Sequence, residues 1–201
     1  MISAQDKILH VANKLGLTSL KDMQASTGAV YDVDTELSGT IFSQAARHAN
    51  PSVTNINENQ FEVNEALLVE NIAFYVKNVV GSVVNFQQVY GSNVVIVFDL
   101  VIGNKRTMKD TPVFSSGSPY AFANVANSQA QVGEEKVPSF VPRHQVFMEG
   151  AGILIPPQVQ WYVQYTIFNV VTGAIIAPTD STALGCYLFG TKVNLNFNTS
   201  I

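Results

Sequence analysis

"GILIPPQVQWYVQYTIFNVV", residues 152–171, contains no Asp, Glu, Lys, Arg or His, and the uncharged run extends from Glu149 to Asp180. A run of this kind is a membrane span, the middle of a core, or a surface that meets other protein. About 20 predominantly apolar residues suffice for a transmembrane helix. Pro156-Pro157 breaks that reading, since proline lacks the N–H and drives the residue before it toward an extended backbone. Beyond the prolines the period is two. Val159, Trp161, Val163, Tyr165 and Ile167 share one face, while Gln158, Gln160, Tyr162, Gln164 and Thr166 share the other. The segment reads as a strand with an apolar and an amide-rich face, and the chain as one without a transmembrane segment.

The same pattern recurs elsewhere. "NIAFYVKNVV" alternates Ile72, Phe74 and Val76 against Ala73, Tyr75 and Lys77, and "SVVNFQQVY" alternates from Ser82 to Tyr90. "NVVIVFDLVIG", Asn93–Gly103, is nearly all apolar and β-branched, as expected of a central buried strand. "HQVFMEG" and "ALGCYLFGTKVNLNF" supply further strands, and "NEALLVEN" is ambiguous between helix and strand. A long Pro-, Gly- and Ser-rich excursion spans Thr111–Ser139. Six to eight strands joined by loops predict an all-β sandwich or barrel over residues 61–201.

Residues 1–60 differ. Residues 3–17 predict one amphipathic helix: Ile8, Val11, Ala12 and Leu15 fall at helical spacing, Ser3 and Asp6 suit its start, and Gly16 suits its stop. Its stripe at Ile8, Val11 and Leu15 packs on its own domain or docks on a neighbouring subunit or a lipid surface. Residues 18–60, rich in Ser, Thr, Asn, Gly and Asp, predict a segment with little structure of its own, either an extended arm tied down by other chains or a disordered stretch.

Composition narrows the function classes. The chain is 47% hydrophobic and 13% charged, which argues against disorder and requires a surface built from Asn, Gln, Ser and Thr. Surfaces buried between chains are depleted of charge, so this composition favours a protein that lives in an assembly. The outer face of Gln158, Gln160, Tyr162, Gln164 and Thr166 is the expected contact, because amides enter an interface without burying a charge. The net charge of −4 and the scattered Lys and Arg give no sign of direct nucleic-acid binding; the densest group, "NKRTMK" at Asn104–Lys109, reads as a solvated turn after a strand.

No catalytic, cofactor or metal signature emerges. Cys186 is the single cysteine and lies in an apolar run, as a small buried hydrophobe. His10, His48 and His144 are not at ligand spacings, and no nucleophile elbow or phosphate loop is present. Asp32, Asp34 and Glu36 alternate but lack the glycine and late glutamate of a calcium loop, and read as a solvated acidic turn. Trp161, Tyr162 and Tyr165 could form a sugar-stacking platform, although Trp161 and Tyr165 share their face with Val163 and Ile167, which favours core burial.

The strand series from Phe61 to Phe197, the excursion at Thr111–Ser139 and the closing "LGCYLFGTKVNLNF" give this chain a general character that resembles the single jelly-roll coat proteins of icosahedral viruses, including bacteriophages. The resemblance covers most of the chain and includes no diagnostic motif. It implies two four-stranded sheets, with the N-terminal helix and arm on the inner side of a shell or between subunits. It also implies a non-enzymatic role in a virion made in the host cytoplasm, with copies of itself and other virion proteins as partners. The chain departs from many coat proteins in lacking an Arg/Lys-rich arm, which suits a shell separated from its genome. The other reading is a carbohydrate-binding sandwich that uses Tyr162.

Overall fold

The computed structural model describes residues 4–17, 23–34, 36–43, 54–56, 58–78, 83–84, 93–114, 152–177 and 182–195. The elements in chain order are α1 (Ala4–Leu15), β1 (Met23–Val33), β2 (Thr40–Ile41), β3 (Glu65–Asn78), β4 (Val83–Val84), β5 (Val94–Ile102), β6 (Lys105–Phe114), β7 (Ile153–Ile155), β8 (Trp161–Asn169) and β9 (Thr182–Leu195). They form two antiparallel sheets in a sandwich-like arrangement with one short helix. The first sheet runs β1-β9-β3-β4, with β7 also paired to β3, and the second runs β2-β8-β5-β6. The pairings are nested: β1 with β9, β2 with β8, β3 with β7, β5 with β6.

The alternation in β8 explains its place. Trp161, Val163, Tyr165 and Ile167 are buried, while Tyr162, Gln164 and Thr166 face outward, half-buried or exposed. The buried set meets Ile96, Phe98 and Leu100 of β5 and, from the opposite sheet, Ile72 and Phe74 of β3 and Leu188 of β9. Phe74 and Phe98 join the sheets directly, with ring centroids 5.0 Å apart. Phe42 and Phe61 close one end of the core around Trp161, at 4.6 and 5.6 Å.

The ambiguous "NEALLVEN" is strand. It opens β3, whose register to β9 shifts between Val69 and Asn71, so that Glu70 is the extra residue of a bulge. Gly190 of β9 sits under it, where a Cβ would lie 1.8 Å from the Leu68 carbonyl oxygen. Only glycine permits that approach. Glu70 turns outward, accepts a hydrogen bond from Thr191 Oγ1 at 2.8 Å, and pairs with Lys7 of the helix.

Helix α1 ends as its sequence predicts. Gly16 adopts φ 69°, and Leu17 N–H reaches back to Ala12 O at 2.9 Å, satisfying a terminal carbonyl. The apolar stripe lies on the outer face of the first sheet. Val11 is buried against Leu68, Val193 and Leu195, Leu15 packs beside it, and Ile8 is half-buried.

Expectations are corrected at three places. Most of "NKRTMK", expected as a solvated turn, and the first residues of the excursion expected from Thr111 belong to strand β6, Lys105–Phe114, paired with β5. The segment 18–60 was expected to have little structure of its own, but its residues Met23–Val33 form an eleven-residue strand paired along its whole length with β9. Asp32 and Asp34 were expected in a solvated turn, and both are 1% exposed. Asp32 Oδ2 accepts the Phe42 N–H at 2.8 Å, which holds Phe42 at φ 63°. Asp34 Oδ1 accepts from Ser38 N and Oγ, both at 3.1 Å, while Oδ2 accepts from Gly39 N at 2.8 Å and Tyr165 OH at 2.9 Å. The carboxylate is buried because all its donors are supplied. The parts of the sequence-predicted strands beyond Val84 and at 144–150, the excursion beyond Phe114, His48 and His144 lie outside the described residues.

Cys186 faces the core, fully buried, opposite Asp32 in the strand register. Burial, and then the nearby Asp32 charge, push its thiol well above the ordinary range. The folded state therefore keeps the thiol protonated where the unfolded chain would ionise it, so stability present below about pH 8.5 is lost as pH rises. Urea unfolding between pH 7 and 10 should show this fall, with a shallower slope in Cys186→Ala. Equal slopes would mean that the thiol is not linked to folding.

Asp34→Asn leaves donors facing an amide N–H₂ and is expected to cost about 3 kcal/mol, and Tyr165→Phe about 1.5 kcal/mol. The two effects, read from urea midpoints, should not add. Additivity would show that the Tyr165–Asp34 bond contributes nothing.

Candidate interaction surface

On the outer face of the second sheet, Gln164 is exposed and Tyr162, Thr166 and Phe168 are half-buried, while Val95, Asp99 and Val101 beside them are buried. The β8–β5 register sets Tyr162 opposite Val101, Gln164 opposite Asp99, Thr166 opposite Val97 and Phe168 opposite Val95. Thr40 of β2 lies opposite Gln164 on the other side. Asp99 is the one carboxylate among these facing positions of β5 and β8, and it is tied down. Its Oδ1 accepts the Asp110 N–H at 2.6 Å and its Oδ2 meets Arg106 Nη1 at 3.2 Å. Those bonds fall where the β5–β6 register shifts, so Asp99 fixes the bulge rather than facing a ligand.

Of the five residues expected on this face, the structure brings together Tyr162, Gln164 and Thr166. Gln158 and Gln160 precede the strand. Gln158 has φ 57° and gives its N–H to Phe61 O at 3.0 Å, and Gln160 O accepts Gly103 N–H at 2.7 Å. Pro157 bridges to Phe61, so the period of two begins in earnest only at Trp161. Trp161 is 0% exposed and Tyr165 is buried, which places both aromatics in the core. Tyr162 remains half-buried on the outer face.

Sequence reasoning missed the turn that follows β8. Asn169 Oδ1 accepts from Val171 N and Thr172 N at 2.9 and 3.1 Å, Gly173 N–H bonds to Asn169 O at 2.8 Å, and Gly173 supplies φ 69°. Ile175 then bridges back to Phe168. The turn is fixed by its own bonds and presents Val170, Val171 and Ile175, which are 53%, 73% and 69% exposed. The signal was legible as Asn-x-x-Thr-Gly carrying valines where a turn ordinarily carries polar residues.

A cleft of about 290 Å³ lies along the other sheet, lined by Gly28, Asn55, Glu58, Gln60, Glu62 and Lys192 among others. Lys192 is paired with Glu65 at 2.9 Å. Gln60 Nε2 donates to Glu58 Oε2 at 3.1 Å. Among the described residues, no three His, Cys, Asp or Glu side chains gather as a metal would require. No helix among them is long and apolar enough to cross a membrane. Comparison of the chain with protein-family models, curated proteins and solved structures found no match.

Replacing Val171 and Ile175 together by Ser should change the unfolding free energy by less than about 0.5 kcal/mol, as for exposed positions generally, while lowering the binding of a hydrophobic dye to the folded protein. A loss of more than about 1 kcal/mol would mean that both side chains pack within the protomer.

Proposed function

We propose that this chain is a structural virion protein, a coat subunit whose sandwich is of the jelly-roll kind and which builds a shell through lateral contacts. The observation that carries the reading is the nested pairing, β1 with β9, β2 with β8, β3 with β7 and β5 with β6. It is what results when one long two-stranded ribbon is rolled into two facing sheets, the arrangement of jelly rolls, which serve in capsids and in lectins. Fold alone does not choose between those roles. The assembly role is supported by the uncharged outer face at Tyr162, Gln164 and Thr166, and by the apolar turn at Val170, Val171 and Ile175 beside it. A face without charge beside exposed apolar side chains suits burial between subunits.

In this reading the protein is non-enzymatic and resides in the virion, with copies of itself and other virion proteins as partners. The scattered basic residues supply no genome-neutralising arm. A glycan-binding module is the second reading, supported by half-buried Tyr162 alone, since Trp161 is enclosed.

Electron microscopy and light scattering of the purified chain over a range of concentrations test the proposal. Shells, rings or defined oligomers are expected. A persistent 21.8 kDa monomer that binds immobilised glycans, with binding lost in Tyr162→Ala, would replace the coat reading by the second one.

A further inference from the structure

We infer that the outer edge of β1 over Met23–Thr27 is a docking strand for the same edge of a second copy, the two pairing antiparallel about a two-fold axis at Ala25. This deepens the coat-subunit reading by naming one of its contacts. Among the described strands β1 ends its sheet, bonded on one side to β9. Its other side is closed over the second half of the strand by a side chain acting as backbone. Asn55 Oδ1 accepts Tyr31 N–H at 2.7 Å, Asn55 Nδ2 donates to Ala29 O at 2.8 Å, and Asn55 N–H bonds to Tyr31 O at 3.2 Å.

These bonds fix which main-chain groups point away from β9. The odd-numbered residues do, so Met23, Ala25 and Thr27 present N–H and C=O outward. Among the described residues no strand meets them.

The edge is also undefended by its own side chains. "MQASTG", Met23–Gly28, contains no charge and no proline, the usual devices against edge pairing. A second extended backbone can take up this whole row of donors and acceptors in register, and a second copy of the same strand is self-complementary to it. Pairing Ala25 with Ala25, and Met23 with Thr27, uses every outward group of the open half and forms about six main-chain hydrogen bonds. Asn55 limits the contact to that half and sets its register. The joint also continues the apolar floor beneath α1, because Met23 and Ala25 are only partly covered by the cluster of Val11, Leu68, Val193 and Leu195.

Gln24 and Ser26 are exposed and face each other across the axis, which makes a charge-swap test direct. One full-length variant carries Gln24→Lys with Ser26→Lys, and another carries Gln24→Glu with Ser26→Glu. Sedimentation equilibrium should show self-association weakened at least ten-fold in each variant alone, by like charges set opposite one another, and restored in an equimolar mixture. Circular dichroism of each variant should match the parent. Variants that associate as the parent does, or a mixture that restores nothing, would overturn the edge contact. Shells that still form from the double-lysine variant would overturn it too while leaving the coat reading standing. Dimers in the parent and the mixture, without shells, would support the edge contact and count against the coat reading.

Discussion

The carboxylate of Asp34 holds the two sheets to each other. It lies one residue past β1, at the point where the chain leaves the first sheet for the second, and it is 1% exposed. Its four donors come from the Ser38–Gly39 turn and from Tyr165 in the middle of β8, so one buried group fixes both the crossing and its landing place. Removing such a group's partners would leave a buried carboxylate without its donors. Asp32, two residues earlier, does the same for Phe42, holding a bulky side chain in a left-handed backbone that few such residues adopt. Phe42 in turn packs at a tilt against Trp161. The packing of β8 against the rest therefore begins at the exit from β1.

The parts of the fold that were legible are those whose signal is local. β8 and β5 announce themselves by alternation and by a β-branched apolar run, and their burial follows it residue by residue. β1 was not legible, because an edge strand with half-exposed faces needs few apolar residues, and its strand character comes from pairing with β9 far along the chain. Asp34 misled for the same reason. Its neighbours resemble a solvated turn, and the group that draws it inside, Tyr165, stands 131 residues away. Of the expected outer face, the two glutamines beside the prolines were read one turn too early, since Gln158 spends its backbone on a left-handed turn.

A polar but uncharged composition has a further source besides contacts with other chains. Asn55 stands in for a strand along β1, Asn169 caps the turn after β8, and Thr191 anchors the bulge residue Glu70. Amides and hydroxyls can be inserted into main-chain hydrogen bonding where a charged group would demand a counter-ion. Part of the Asn, Gln, Ser and Thr content thus serves the protomer's own backbone. The composition therefore says less about contacts with other chains than its lack of charge alone implies.

The position of β9 shapes how the chain comes together. It lies between β1 and β3 in the first sheet, yet it follows both by more than a hundred residues in the sequence. On a ribosome, β1 and β3 emerge early and then wait, each with an unzipped flank, until residues 182–195 arrive to fill the gap. Pairing over such a distance must meet its loop-closure entropy before any contact rewards it, which makes assembly of this sheet a late and slow event. During that wait the nascent chain exposes strand flanks of the kind that recruit wrong neighbours. The sheet is closed by the last strand, as a zipper is closed by its slider, and a message cut short before residue 182 would yield a chain with a slot where its central strand belongs.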